Sequence, residues 1–181
     1  MPAVMPTLVT PTTPEQLDTV RALFREYEEN LGISLCFQGF EQELANLPGK
    51  YAPPSGRLYL AMMGPDAAGC IALREITHQV ADFFADPRAP KPAGRPPAGR
   101  ICEMKRLYVR PEFRGNRIGR LLARRLLDDA RAIGYATMHL DTMDTLKPAV
   151  ELYRSLGFQP TQRYNNDEDP HTLFFAKALG P

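Results

Sequence analysis

Residues 104–133 change their apolar period once, and that change constrains the chain more than any other feature. Lys105, Leu107 and Val109 alternate with Met104, Arg106 and Tyr108, the two-residue repeat of a pleated strand. Pro111 has no backbone N–H to give a ladder and closes the strand. A short polar turn follows over 112–116, where Gly115 opens dihedrals that other residues avoid. From Ile118 the repeat is helical: Ile118, Leu121, Leu122, Leu126, Ala130 and Ile133 recur close to every third or fourth position, and Gly134 supplies a stop. The first N–H groups of such a helix lack internal partners, and its dipole adds partial positive charge. Arg114, Arg117 and Arg120 bring three fixed charges to the same place. A pyrophosphate suits that turn better than a single carboxylate does.

The rest of the composition narrows the ligand. With 181 residues the chain suits one domain, 1–181, with a sizeable core. A net charge of +1 gives no nucleic-acid footprint, so arginines gathered between 106 and 125 point to a small anionic ligand. Cys36, Cys70 and Cys102 are odd in number and widely spaced, which suggests neither disulfides nor a metal site; reduced thiols and a cytoplasmic location are expected. No basic residue precedes Arg21 and no apolar core of a signal peptide follows Met1. No apolar run approaches the roughly 18 residues of a membrane span, so no membrane partner is expected.

The remaining elements follow in order. Residues 7–10 read as a strand. Thr13, Pro14 and Gln16 make a capping box, and Leu17, Val20, Phe24, Tyr27 and Leu31 carry the helix to Gly32. Residues 37–47 read as a shorter helical piece stopped by Pro48-Gly49, and 50–56 as loop. Residues 57–63 and 70–76 read as a hairpin, with Gly64, Pro65, Asp66 and Gly69 between the strands. The stretch 78–100 holds five prolines and two glycines; it reads as a long flexible insertion with a helical turn at 80–85, where Phe83 and Phe84 suggest docking. It enters the strand bearing Glu103, so a lid or rim at the acceptor side is expected. A strand at 136–142, a helix at 148–156 and a final strand at 172–176 complete the order, with a further short strand expected within 159–164. The fold class is α/β: a mixed central sheet flanked by helices on both faces.

Two segments in this order resemble a known family. Arg114-Gly115-Asn116-Arg117-Ile118-Gly119, after a strand ending Leu107-Tyr108-Val109-Arg110-Pro111, resembles the R-x-x-G-x-G/A cofactor motif of the GNAT superfamily of acyl-CoA N-acyltransferases. Arg117 replaces the middle glycine, a position that mainly offers its backbone N–H. Ala149-Val150-Glu151-Leu152-Tyr153-Arg154-Ser155-Leu156-Gly157-Phe158 resembles the family's A-x-x-L-Y-x-x-x-G-F segment. Leu146 stands where the family often has asparagine. Residues 47–54 and 103–109 are similar to a group of bacterial-type members of undefined substrate.

The resemblance implies acetyl-CoA (coenzyme A) as cofactor and direct transfer of its acetyl group to a primary amine of a small-molecule or amino-acid-like acceptor. It implies that the backbone of Leu107, Tyr108 and Val109 pairs with the pantetheine arm, with an N–H at Leu107 facing the thioester oxygen. Arg114, Gly115, Asn116, Arg117, Ile118, Gly119 and Arg120 would hold the phosphates. Tyr153 would contact the cofactor and protonate the leaving thiolate, since a phenol stays protonated at neutral pH; the alternative is a tyrosine packed on the core. Glu103 is the candidate base; it also shares a strand face with Lys105, so an ion pair is the alternative. Asp141 is a second carboxylate, while His139 and Cys102 are weaker candidates. An acyl-CoA sensor without catalysis and a peptide acetyltransferase are the competing readings, and a homodimer is compatible with the chain. By analogy residues 35–51 border the acceptor; Glu41 and Glu43 read either as attracting a cationic amine or as a solvated helix face.

Overall fold

Thr13 starts the first helix by the mechanism its sequence predicts. In the computed structural model, which describes residues 5–35, 39–88 and 98–180, Gln16 N donates to Thr13 Oγ1 and Thr13 N donates to Gln16 Oε1. Helix α1 (Pro14–Leu31) then runs to Gly32, whose φ of 68° only glycine adopts freely. The other elements are β1 (Thr7–Val9), α2 (Phe40–Ala45), β2 (Arg57–Met63), β3 (Asp66–Glu75), α3 (Thr77–Ala85), β4 (Ile101–Val109), α4 (Ile118–Ile133), β5 (Thr137–Met143), α5 (Lys147–Ser155), β6 (Gln159–Pro160) and β7 (Thr172–Ala178). The strands form a seven-stranded mixed sheet in the order β1-β2-β3-β4-β5-β7-β6. The pairs β1–β2, β2–β3, β5–β7 and β6–β7 are antiparallel, and β4–β5 is parallel.

The chain divides into two compact units, one of residues up to Leu73 with Arg106–Leu126, the other of Arg74–Lys105 with Leu127 onward. In the first, Val20, Leu23 and Phe24 of α1 pack with Phe40 and Leu44 of α2, with Tyr51, and with Leu58, Leu60, Cys70 and Tyr108 of the strands. In the second, Ile76, Val80, Ile101 and Tyr164 form a buried cluster with Phe84 and Phe174 against it.

Two expectations, the hairpin and the helical turn, need correction. Strand β3 begins at Asp66, not Cys70, so the hairpin turn is only Gly64-Pro65. Gly69 is a strand residue: a Cβ there would sit 2.4 Å from the Tyr108 carbonyl oxygen, so its glycine serves close backbone approach rather than a turn. The helical turn expected at 80–85 is the nine-residue helix α3, held by buried Val80 and Phe83. The further short strand expected within 159–164 is present as β6, two residues long. The prolines at 90, 92, 96 and 97, with Cys36 and Phe37, lie outside the described residues.

Candidate functional site

Strand β4 is not evenly pleated. Arg106 has φ of 59°, a left-handed conformation that interrupts the alternation read from the sequence. Its guanidinium is buried and meets Glu43 through two bonds, Nε to Oε1 at 2.9 Å and Nη2 to Oε2 at 3.1 Å. It lies 5.2 Å from the Phe40 ring centre and 5.8 Å from that of Tyr27. Glu43 also accepts from Tyr51 Oη at 2.8 Å and Lys50 Nζ at 2.7 Å. Burial pushes the Glu43 pKa up, but Arg106 and Lys50 more than reverse this and lower it to about 2. Glu43 is therefore not part of a solvated helix face. Glu41 is exposed and paired with Arg25 through both guanidinium nitrogens.

Past Arg106, Leu107, Tyr108 and Val109 complete the strand. The parallel ladder between β4 and β5 covers Ile101–Glu103, and Leu107–Val109 lie beyond its end. Arg110 N donates to Ala68 O, which ties this half of β4 to β3. Tyr108 accepts a hydrogen bond from Asn30 Nδ2 at 3.1 Å, and its ring meets Tyr27 edge-on.

The turn between β4 and α4 carries two left-handed residues. Gly115 has φ of 84°, and nothing lies within 4 Å of the Cβ position it lacks. Arg117 has φ of 58° and an exposed side chain, so the residue in place of the family's glycine keeps a glycine-like backbone. A bond from Leu121 N to Arg117 O opens α4, which places Ile118 and Gly119 in the first turn of the helix, at the positive end of its dipole. Arg114 Nε bonds the Val109 carbonyl, which fixes the start of the turn against the strand. A helix start beside basic side chains fits the diphosphate of an acyl-CoA.

The second unit holds the candidate acid and base. Glu103 is wholly buried and accepts from Arg74 Nε at 2.7 Å and from Tyr164 Oη at 2.8 Å, with Lys105 Nζ 3.8 Å away. Burial raises its pKa, but the Lys105 and Arg74 charges and the Tyr164 and Arg74 hydrogen bonds lower it to about 2. Lys105 Nζ bonds Asp141 Oδ1 at 3.3 Å, and Asn165 Nδ2 donates to Asp141 Oδ2 at 2.9 Å. His139 packs edge-on to Tyr164 with ring centres 4.6 Å apart; neither ring nitrogen has a hydrogen-bond partner among the described residues. Burial lowers its pKa to about 4. Tyr153 is buried, its ring edge-on to Phe158. Burial pushes the Cys102 thiol well up, away from a reactive thiolate.

Sequence reasoning missed Arg74, Tyr164 and Asn165 as partners of the strand carboxylates, and Arg106 and Tyr51 as partners of Glu43. No local pattern announces them: Tyr51 lies eight residues from Glu43, across the 46–49 turn, and the other partners come from segments 24 or more positions away. Among the described residues no helix is long and apolar enough to cross a membrane.

Comparison with known proteins bears on the family and the fold. The family model described as "Acetyltransferase (GNAT) family" matches residues 17–158. An uncharacterised N-acetyltransferase of Schizosaccharomyces pombe is 39% identical over 162 residues, covering 89% of this chain and 87% of the relative. An uncharacterised N-acetyltransferase of Dictyostelium discoideum is 32% identical, covering 90% of this chain and 94% of the relative. The crystal structure of a GNAT-family acetyltransferase from Staphylococcus aureus Mu50 superposes with a TM-score of 0.73 over 97% of this chain and 99% of that one, at 16% identity, a likeness of fold.

Proposed function

Because the chain belongs to the GNAT acetyltransferase family, we propose that it moves the acetyl group of acetyl-CoA directly to a primary amine of a small-molecule or amino-acid-like acceptor. The observation that carries the reading is the turn after β4, with Gly115 and Arg117 both left-handed as they lead into α4. The cofactor supplies an activated thioester; the chain's own groups bind and orient it. Residues 114–120 hold its phosphates, and the backbone of Leu107, Tyr108 and Val109 pairs with the pantetheine arm.

Tyr153 is the proton donor in this reading. A phenol O–H can protonate the departing thiolate. Glu103 acts by charge rather than by direct abstraction: a carboxylate with a pKa of about 2 accepts a proton from an ammonium poorly. Held ionised and wholly buried, it balances the charges of Arg74 and Lys105, and the proton of the amine leaves to water. Tyr153→Phe should lower kcat by ~10–10³-fold with acetyl-CoA affinity changed little. Amine-dependent thiol release and titration of acetyl-CoA measure the two. Weakened acetyl-CoA binding with kcat intact would make Tyr153 a packing residue.

A further inference from the structure

Arg106 is the residue of β4 with a positive φ, and it lies directly before Leu107. An arginine at φ of 59° is rare, because its Cβ crowds a neighbouring carbonyl oxygen. Such a conformation persists only where the surrounding structure over-determines it, and residues of this kind gather at functional sites. The peptide plane between Arg106 and Leu107 carries the Arg106 carbonyl on one side and the Leu107 N–H on the other. Cys70 Sγ of β3 donates to that carbonyl at 3.4 Å, so the Leu107 N–H points away from Cys70. The dihedrals of residue 106 set the tilt of this plane. Whatever fixes Arg106 therefore fixes the aim of the Leu107 N–H.

Glu43 supplies the grip. Both of its oxygens meet the guanidinium fork, a planar match that fixes orientation as well as distance. Glu43 and Arg106 are 8% and 3% exposed, which shields the pair from water, and the rings of Phe40 and Tyr27 flank the guanidinium. The carboxylate is itself anchored: Tyr51 Oη donates to its Oε1 and Lys50 Nζ to its Oε2, both from the short helical turn Gly49–Tyr51. Stability alone does not ask for such a pair, since apolar side chains of similar volume serve a core as well or better. What the pair does that they would not is hold a left-handed residue in place, one peptide bond before the donor read to face the thioester oxygen.

We propose that Glu43 is a positioning residue of the transfer reaction: its grip on Arg106 holds the left-handed bend of β4 that aims the Leu107 N–H at the thioester oxygen. The proposal rests on the acetyltransferase reading above for the role of that N–H, and on the bend and its buried ion pair for the role of Glu43.

Three variants separate aim from packing. Glu43→Gln should lower kcat by ~10–100-fold, the cost of a misplaced donor, with acceptor KM and acetyl-CoA affinity changed little. Two double variants remove the buried charge altogether and so guard against a failure to fold. In Glu43→Gln/Arg106→Met the methionine fills the space but resists a positive φ, so kcat should stay low. In Glu43→Gln/Arg106→Gly the glycine takes the left-handed backbone freely, so kcat should exceed that of the methionine variant by ~10-fold or more, although glycine leaves a cavity. A merely structural pair predicts the reverse order, with activity following the urea midpoint. Backbone chemical shifts at residues 106 and 107 read the bend directly: left-handed in the parent and the glycine variant, relaxed toward extended in the methionine variant. An unchanged kcat in Glu43→Gln, a methionine variant as active as the glycine one, or a bend retained in the methionine variant would each overturn the proposal. A parent that releases no thiol with any amine would instead count against the acetyltransferase reading, and the shifts would still decide whether Glu43 holds the bend.

Discussion

Arg117 shows what a single residue does in the phosphate turn. A β-carbon at φ of 58° costs about 1–2 kcal/mol relative to ordinary backbone. The sequence departs from the motif glycine here, yet Arg117 keeps a left-handed backbone and an exposed side chain, so the side chain is tolerated rather than required. Arg117→Gly should raise stability by about 1 kcal/mol, read as a higher urea midpoint with unchanged slope. A lower midpoint would show that the guanidinium makes a contact worth more than the strain. Arg106 shares the conformation with the opposite consequence, because its side chain is buried and ion-paired.

At the scale of the element, β4 departs from its sequence pattern in a way that matters. Alternation makes Arg106 a regular strand residue, and the left-handed bend at that residue turns its side chain to Glu43 of α2. Strand and helix are thereby joined by a buried ion pair. Removing one member leaves the other charge unpaired and dry, which costs about 3–5 kcal/mol, whereas removing both is far milder. Glu43→Gln should therefore destabilise by about 3 kcal/mol or more, and adding Arg106→Met should recover much of the loss. Chemical denaturation of the two single variants and the double variant measures the coupling; strictly additive losses would mean the pair contributes nothing as a pair.

Across the whole molecule the buried ionisable groups set an acid limit. Glu43 and Glu103 fall from an ordinary 4.5 to about 2, and His139 from 6.5 to about 4. In each case the unfolded chain binds the proton more readily than the folded one, so stability rises with pH between the two values. The His139 contribution is complete above 6.5 and is lost as pH falls toward 4. The two carboxylates add a second loss between 4.5 and 2. Melting temperature should hold near neutrality, decline first below pH 6.5 and drop steeply below 4.5. His139→Phe should remove the first limb, worth up to about 3 kcal/mol, and leave the second. A His139→Phe profile that superposes on the parent would assign the upper limb elsewhere.

What the sequence determined by itself is what neighbours within a few residues decide. The capping box at Thr13, the stop at Gly32, the strand closed before Pro111 and the helix from Ile118 to Gly134 follow from dihedral preference, missing N–H groups and apolar period. The left-handed Gly115 belongs with them, which is why the candidate anion turn could be read early. Tertiary structure decided the rest. Gly69 reads as a turn residue until Tyr108 lies against it. Glu43 reads as a surface residue until Arg106, 63 positions later, reaches it. Glu103 has an obvious partner in Lys105, yet its direct hydrogen bonds come from Arg74 and from Tyr164, 29 and 61 positions away. The physical reason is range: backbone preference acts over one turn of chain, whereas the charge that keeps a buried carboxylate ionised depends on which distant segment is folded against it.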